Sequence, residues 1–183
     1  MKDMEFERST ADPCLYFQWG EFGLVVIVSW IDDNLIIGCK EGVKATKASL
    51  MARFDCEDCG ELDEYVGCLI ERVGNSLKFK QLVLLQSFTD EFNLPEATFS
   101  TPARAGNVLT KCKPEDALSP VMQTKYRSGT GKLLHVMQWS APPMCNAIRD
   151  LARHMTVTLK RHMEAMLRAM KYLVDRPNRG LTL

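Results

Sequence analysis

Short apolar runs separated by polar turns fill the first half of the chain and predict β-strands. Residues 14–19 are rich in aromatic side chains, and residues 24–31 are β-branched almost throughout, which is typical of a strand buried on both faces. The turn-forming sequence Asp32-Asp33-Asn34 interrupts the apolar run before residues 35–38 resume it. We therefore predict a tight hairpin inside a core, with two carboxylates at its tip.

Helical spacing of apolar residues dominates the last third of the chain. Before it, residues 65–72 and 76–81 flank Gly74-Asn75 and predict a second hairpin, whereas scattered prolines mark residues 98–120 as a linker. The segments with helical periodicity are 41–54, 84–92, 123–139, 143–154 and 159–174. Residues 1–13 are polar and predict no element. Mixed strands and helix followed by a helical region predict an α+β fold.

The composition is that of a folded protein in a reducing compartment. The 183 residues are 46% hydrophobic, which is enough to form a core. The longest apolar run is too short to span a bilayer, and no signal peptide is evident. The seven cysteines match no disulfide framework. We expect a soluble intracellular protein with reduced cysteines and no membrane partner.

Charge is balanced overall but unevenly distributed. The formal net charge is zero, yet positions 55–64 hold six acidic and no basic residues, and positions 149–179 hold eight Lys or Arg against three acidic residues. Arg161, Arg168 and Lys171 lie opposite the apolar stripe of the last predicted helix. Two interpretations of this basic face remain open: contact with nucleic-acid phosphate, or an ordinary solvated helix surface.

The Asp32-Asp33 pair is the strongest candidate for chemistry. Adjacent carboxylates repel each other, and a bound Mg²⁺ ion relieves the repulsion, because this ion prefers carboxylates together with substrate phosphates. Phosphoryl-transfer enzymes commonly hold two such ions about 3.5–4 Å apart. A bare Asp-Asp pair is far more often a polar hairpin turn. The apolar strands on both sides and the aromatic Trp30, two residues before Asp32, favour a polymerase-like metal site.

Two cysteine arrangements carry less weight. Cys56 and Cys59, with Cys68 further along, supply part of a zinc site, but structural zinc needs four ligands and no second close pair follows. Neither Cys39 nor Cys145 has a nearby base that would activate a nucleophile. We therefore predict neither a zinc site nor a thiol enzyme.

Trp30-Ile31-Asp32-Asp33 resembles the aromatic-x-Asp-Asp motif of reverse transcriptases, and residues 35–38 continue that pattern. The resemblance is closest to the reverse transcriptase domain of copia-type retrotransposons. Other stretches that resemble this family lie before and after the motif, in the family's order and along nearly the whole chain: Asp12-Pro13-Cys14-Leu15-Tyr16-Phe17, Gly60-Glu61-Leu62, Tyr65-Val66-Gly67, Thr101-Pro102, Tyr126-Arg127-Ser128, Gly131-Lys132-Leu133-Leu134, His162-Met163-Glu164-Ala165 and Tyr172-Leu173. The ordered series is specific, although the single motif is not.

The resemblance implies roles in the first half of the chain. Asp32 would bind catalytic Mg²⁺ directly and Asp33 would assist, while Trp30 would lie near the primer terminus. Tyr65-Val66-Gly67 is similar to the primer grip, where a glycine lets two backbones approach each other. A β-bulge is an equally good explanation of Gly67.

In the last third, the resemblance implies a thumb helix that follows the minor groove of the duplex. Gly131 and His135 lie one turn apart on one face of that helix. For His135, a packed or solvated histidine is the alternative. Together with the basic face of Arg161, Arg168 and Lys171, they are the candidate nucleic-acid contacts of this region.

The resemblance also implies a domain plan. Residues 1–81 would form the C-terminal half of a polymerase palm, with an antiparallel sheet and a packed helix; residues 82–120 would form a short helix and linker, and residues 121–183 a helical thumb. The parent would be a polyprotein with RNA-directed DNA polymerase activity on dNTPs and an RNA–DNA or DNA primer-template. Its fingers, first palm strands and RNase H domain would be partners of this fragment.

Two departures from the family pattern bear on activity. The family's earlier palm strand, with another metal-binding aspartate, has no counterpart in these residues, so we expect the isolated chain to bind Mg²⁺ weakly, to be inactive, and to expose an apolar face beside residues 24–31. Ala141-Pro142-Pro143 stands where the family usually has Arg-Pro-Asp, which removes two charged groups. The alternative function is therefore a degenerate noncatalytic remnant, inert or binding only nucleic acid or protein.

Overall fold

The computed structural model describes residues 4–106, 108–110 and 113–183. The chain divides into two compact units, Met1–Val66 and Gly67–Leu183. Antiparallel strands and five α-helices occur in the described ranges, so the predicted α+β class is confirmed, while the assignment to palm and thumb stays a prediction. Within those ranges, no helix has the length and apolar character needed to cross a membrane.

The first unit is an antiparallel meander followed by one helix. Its strands, in spatial order, are β1 (Glu7–Arg8), β2 (Leu15–Gly20), β3 (Gly23–Trp30) and β4 (Asp33–Ile37). Helix α1 (Lys40–Met51) begins after Cys39, whose side chain accepts a hydrogen bond from the Gly42 amide. A two-residue strand, β5 (Glu64–Tyr65), lies at the end of the unit.

Strand β3 is buried on one face only. Val25 and Ile27 are 5% and 0% exposed, whereas Leu24 and Trp30 on the opposite face are 39% and 52% exposed. Helix α1 covers the buried face closely, since a Cβ atom at Gly42 would lie 2.8 Å from Cγ2 of Val25. The prediction that both faces are buried is therefore wrong, because successive residues of a strand face opposite sides and α1 packs against one of them.

The small core on the α1 side includes residues from a segment without a predicted element. Met4 and Phe6 are 8% and 4% exposed and pack with Val25, Ile27 and Leu50. Residues 1–13 look polar on average, so two isolated apolar side chains gave no periodic signal. Their burial shows that this segment contributes to the fold of the first unit.

The second unit begins with the predicted second hairpin, which is part of the palm in the predicted domain plan. Its turn is Gly74-Asn75, as predicted, because Val73 pairs with Ser76. A third strand near the end of the chain was not predicted; it places Leu181 opposite Phe79. The strands are β6 (Cys68–Val73), β7 (Ser76–Lys80) and β8 (Leu181–Thr182).

Four helices enclose the larger core of the second unit. They are α2 (Leu82–Glu91), α3 (Pro120–Trp139), α4 (Cys145–Ala152) and α5 (Lys160–Val174). Tyr126 of α3 is fully buried, and its hydroxyl donates a hydrogen bond of 2.8 Å to the carbonyl oxygen of Leu151. Gly129 lets α3 and α5 approach, because a Cβ atom there would lie 2.6 Å from the sulfur of Met166. The helical periodicity in the sequence thus identified the elements that form this core.

Candidate functional site

The Asp32-Asp33 pair lies at the end of the β3–β4 hairpin, as predicted. Trp30 and Asp33 are the last paired residues, which leaves Ile31 and Asp32 as a two-residue turn. The turn begins one residue earlier than expected, and Asn34 belongs to strand β4. Both carboxylates are exposed, so they are accessible to a ligand from solvent.

Ile31 holds the turn in an uncommon backbone conformation. Its φ is +52°, a value that the tight turns of two-residue hairpins require and that glycine adopts most readily. For a β-branched residue this conformation costs on the order of 1–3 kcal/mol, and such strain often occurs at functional sites. The flanking strands therefore impose the geometry of the turn against the local preference of the sequence.

The two carboxylates have no partner in the described part of the chain. Neither Asp32 nor Asp33 joins any of the ion pairs formed there, and no group of three or more His, Cys, Asp or Glu side chains within the described ranges is arranged to hold a metal ion. Mg²⁺ commonly takes one or two carboxylates and completes its shell with water and substrate phosphates. The hairpin therefore fits part of a magnesium site.

Trp30 and Asp33 share one face of the first sheet, because cross-strand partners lie on the same side. The register places a row of apolar side chains on that side, here called the open face: Leu15, Phe17, Trp19, Leu24, Val26, Val28, Trp30, Leu35 and Ile37. Trp19 is 75% exposed and Trp30 52%. The candidate metal ligands thus lie at the end of an exposed apolar surface.

Tyr65 lies within electrostatic range of Asp33 in the first unit. Burial raises the pKa of the Tyr65 hydroxyl, and electrostatic interaction with Asp33, and then with Cys14, raises it further. The hydroxyl oxygen is buried and has no hydrogen-bond partner among the described residues. Two of the predicted site residues, on different strands, therefore interact electrostatically.

Val66 and Gly67 form a turn after β5. Their φ angles are +50° and +71°, and two consecutive positive values are the signature of a type I′ turn. Gly67 therefore lies in a turn rather than in a β-bulge. A Cβ atom at Gly67 would meet no atom within 4 Å, so the backbone conformation, and not packing, favours glycine there.

Gly131 and His135 lie on the exposed side of α3, one helical turn apart as predicted. A Cβ atom at Gly131 would meet no other atom within 4 Å. The His135 ring is exposed, with its centroid 6.4 Å from that of Trp139, so it is not a core histidine. This helix face is accessible, and its contact with a duplex stays a prediction.

Arg161, Arg168 and Lys171 all lie on α5 but do not form a row of free cations. Arg161 donates hydrogen bonds of 3.2 and 2.7 Å to the carbonyl and hydroxyl oxygens of Thr110. Lys171 forms an ion pair with Asp175, and Arg168 stacks on an aromatic ring. Each side chain already has an intramolecular partner, and the predicted phosphate contacts would have to compete with it.

A buried histidine pair in the second unit was not foreseen. The rings of His154 and His162 stack with centroids 4.1 Å apart, and the residues are 4% and 0% exposed. His162 Nδ1 accepts a hydrogen bond from the Leu159 amide, so Nε2 carries the proton and donates it to the Thr110 carbonyl oxygen at 3.1 Å. Burial, and then the charge of His154, lowers the pKa of His162.

The cysteines show no arrangement that changes these assignments. Cys56 and Cys59 are exposed, and within the described ranges they do not belong to a cluster of metal-ligating side chains. Cys112 lies outside the described residues. The expectation that the chain has no zinc site stays a prediction. The free thiols are Cys14, Cys39, Cys56, Cys59 and Cys145.

Comparison with known protein families places the chain. A family model described as reverse transcriptase (RNA-dependent DNA polymerase) matches residues 1–105, which is more than half of the 183 residues. The chain therefore belongs to the reverse transcriptase family. The resemblance to a copia-type reverse transcriptase domain, inferred above from the ordered motifs, is confirmed.

The similar curated proteins are transposon proteins. Over 181 residues the chain is 28% identical to the retrovirus-related Pol polyprotein from transposon TNT 1-94 of Nicotiana tabacum. The alignment covers 94% of this chain and 14% of that polyprotein. The chain is 26% identical to the corresponding polyprotein from transposon RE1 of Arabidopsis thaliana, covering 97% of this chain and 12% of the polyprotein. A putative transposon Ty5-1 protein of Saccharomyces cerevisiae is 24% identical, with 94% of this chain and 56% of that protein covered. No solved structure matches the chain.

Proposed function

We propose that the chain is part of the RNA-directed DNA polymerase of a retrotransposon polyprotein and contributes the Asp32-Asp33 hairpin to nucleotidyl transfer. The observation that carries this proposal is the hairpin itself. It holds two exposed carboxylates at the tip of paired strands, and neither has an ion-pair partner among the described residues. Membership of the reverse transcriptase family supplies the reaction.

Each residue of the hairpin has a distinct part in this proposal. Asp32, in the turn, would ligate the metal directly, and Asp33, at the first paired position, would assist. When bound, Mg²⁺ supplies positive charge that stabilises the phosphate oxygens. The oxygen of the primer 3′-hydroxyl forms a bond to the α-phosphorus of a dNTP and loses its proton to solvent water, while the bond to the leaving pyrophosphate breaks. Trp30 contacts the primer terminus from the open face.

We propose nucleic-acid contacts in each unit, taken separately. At the end of the first, Tyr65 and the turn at Val66 and Gly67 that follows it would provide a primer grip through their backbone, since the Tyr65 hydroxyl is itself buried. In the second, Gly131 and His135 offer an exposed helix face with room for a duplex backbone. Phosphate contacts would be added by Arg161, Arg168 and Lys171, once phosphate displaces their present intramolecular partners. The parent enzyme would have three kinds of partner: dNTP, an RNA–DNA or DNA primer-template, and the remaining polyprotein domains.

The second candidate is a noncatalytic remnant that binds nucleic acid or protein without polymerising. One feature favours it. Ala141, Pro142 and Pro143 occupy a stretch with two charged residues in the family pattern, and Pro142–Met144 here forms a short 3₁₀ turn without a side-chain cap. Without these two charged residues, the region that follows the thumb helix would lose any polar contact that they make in the family.

Metal binding by the hairpin can be tested without catalysis. Mn²⁺, a paramagnetic substitute for Mg²⁺, should broaden the NMR amide signals of residues 31–34 selectively. Asp32→Asn should remove the broadening, and Asp33→Asn should reduce it less. Asp63→Asn, which removes an exposed carboxylate outside the hairpin, is the matched control and should have no effect. Equal broadening in the Asp32→Asn variant and the parent would contradict the assignment.

Catalysis requires a second experiment, because two carboxylates do not complete a two-metal site. The 183-residue chain alone should not extend a primer. Co-expression with the fingers and first palm strands of a closely similar element should give extension on an RNA template. Asp32→Asn should lower this extension by at least about 100-fold, since metals contribute several kcal/mol of transition-state stabilisation. Association of the two pieces without activity would support the remnant, and polymerisation by the isolated chain would refute this division of roles.

A further inference from the structure

A cavity in the second unit lies between α4, α5 and the segment that joins α2 to α3. Its volume is about 510 Å³, within the range of small-molecule sites. Much of the wall is apolar: Phe99 comes from the connecting segment, Ala147 from α4, and Ala165 and Ala169 from α5. The small alanine side chains leave room for a ring-sized apolar group.

The charged side chains around this cavity give it a positive excess. They are Arg104, Arg161, Arg168, Asp150 and Glu164. Three arginines against two acids leave a net charge of +1 (3 − 2 = 1). Asp150 also has a cationic partner outside the cavity, because its carboxylate lies 3.6 Å from the guanidinium of Arg153. The cavity is therefore better suited to an anion than to a cation.

Arg168 is the residue whose environment lacks an anion. Its guanidinium lies 4.2 Å from the centre of the Phe99 ring and donates a hydrogen bond of 3.1 Å to the Thr101 hydroxyl. Its Nε atom is buried without a hydrogen-bond partner among the described residues. In the same ranges no carboxylate lies within ion-pair distance of it. The side chain as a whole is half-exposed, but a buried donor such as Nε is costly to leave without a hydrogen-bond acceptor.

We propose that this cavity binds a small organic anion, in which a carboxylate or phosphate monoester is attached to a ring-sized apolar body. Arg168 binds the anionic group, because a guanidinium matches the paired oxygens of these groups. Arg161 assists by exchanging its hydrogen bonds to Thr110 for bonds to the anion. The wall formed by Phe99, Ala147 and Ala165 takes the apolar body. All residues that line this site belong to the second unit, and its test does not depend on nucleotidyl transfer.

The test uses three probes on the whole chain, followed by NMR of the backbone amides. Phenyl phosphate should shift the amides of Ala147, Ala165 and Arg168 in a saturable manner, and benzoate should shift the same set. Benzyl alcohol, which keeps the ring without the charge, should bind at least about tenfold more weakly, since a charge-assisted hydrogen bond is lost. Inorganic phosphate, which lacks the ring, should also bind more weakly than phenyl phosphate.

Variants separate the contribution of the arginines from that of the cavity. Arg168→Met and Arg161→Met should each weaken phenyl phosphate binding by about tenfold or more. Ala147→Leu should block the apolar part of the site while leaving both arginines in place. Arg149→Met removes an exposed arginine of α4 that does not line the cavity, and it should leave binding unchanged. If Arg168→Met fails to fold, Arg161→Met and Ala147→Leu decide the question.

Three results would overturn the proposal. The first is that benzyl alcohol binds as tightly as phenyl phosphate. The second is that the Ala147→Leu variant binds phenyl phosphate as well as the parent chain does. The third is that the shifted amides lie away from the cavity. A titration with duplex DNA tests whether these arginines bind nucleic acid instead. If DNA shifts the same amides while phenyl phosphate does not, Arg161 and Arg168 serve a nucleic-acid surface and the small-anion site does not exist.

Discussion

At the scale of single residues, Ile31 offers a direct test of stored strain. Ile31→Gly should raise the free energy of unfolding by about 1 kcal/mol, because relief of the positive φ outweighs the extra flexibility of glycine in the unfolded chain. The measurement is urea unfolding. Ile37→Gly, at an exposed position of strand β4, is the control and should lower stability by about 0.5–1 kcal/mol. Equal losses in both variants would show that the turn is not strained.

The histidine pair predicts a pH dependence of stability. The pKa of His162 is lowered in the folded chain by burial and by the charges of His154 and Arg161, which outweigh the opposite effects of the Thr110 carbonyl and Asp150. The unfolded chain therefore binds more protons as the pH falls below the usual histidine value of about 6.5. The free energy of unfolding should therefore be highest above that pH. It should decrease as the pH falls from that value to the lowered pKa of His162 in the folded chain.

The measurement for this prediction is unfolding free energy as a function of pH. His162→Gln should flatten the slope in the acidic range, because an amide can accept and donate hydrogen bonds but does not titrate there. His135→Gln, at an exposed histidine of α3, is the matched control and should keep the slope of the parent. If His162→Gln keeps that slope too, another group is responsible.

The position of a residue was predictable where it follows from neighbours in the sequence. The carboxylate pair and Trp30 lie at the end of a hairpin, as predicted, because apolar strands flank them, while their role in catalysis stays a prediction. The start of the turn was misplaced because an isoleucine does not favour positive φ, and only the pairing of the strands forces it. His154 and His162 were missed because eight residues and a change of helix separate them, and periodicity within one helix does not report contacts between two.

At the scale of elements, two glycines of α3 form a matched pair. Both lie inside the helix, so helix propensity alone favours alanine over glycine at each position by about 0.5–1 kcal/mol. Gly131 has open space, but at Gly129 the new Cβ would lie within 3 Å of Met166 and Met170, which are fully buried. Gly131→Ala should therefore be stabilising, and Gly129→Ala should be less stable than it by about 1–3 kcal/mol.

Thermal or urea unfolding of the two variants tests the packing between α3 and α5. The same Gly131→Ala protein also tests the proposed duplex contact, because it should bind primer-template more weakly although it is more stable. Unchanged binding would remove Gly131 from the nucleic-acid surface. Equal stability of the two variants would show that Met166 and Met170 move aside.

Elements with several turns of periodic sequence were the most predictable part of the fold. The helix predicted at residues 159–174 is α5, Lys160–Val174, and the one at 123–139 is α3, Pro120–Trp139. The two-residue strands β1 and β8 were missed, because so few residues carry no periodicity and gain their structure from the partner strand. Burial on both faces of β3 was predicted wrongly, since an apolar run does not specify which neighbours cover it.

At the scale of the whole molecule, the open face predicts self-association. Large contiguous apolar surfaces are uncommon on soluble monomers, and Trp19 is 75% exposed. The purified chain should associate in a concentration-dependent manner in sedimentation experiments. Trp19→Lys should weaken association by about tenfold or more, as expected for loss of a large exposed tryptophan from an interface. Val83→Lys, at an 82% exposed valine of α2, should not. A parent chain that stays monomeric at high concentration would contradict the prediction.

The pairing of β8 with β7 has a consequence for biosynthesis. Phe79 and Leu181 face each other although about a hundred residues separate them, and contacts between distant positions form slowly because a long loop must close first. A ribosome adds roughly 5–20 residues per second, so β7 emerges several seconds before its partner exists. During that interval its free edge is exposed to other nascent chains. The second unit therefore completes its sheet only after translation has passed residue 182, and it depends during synthesis on whatever shields that edge.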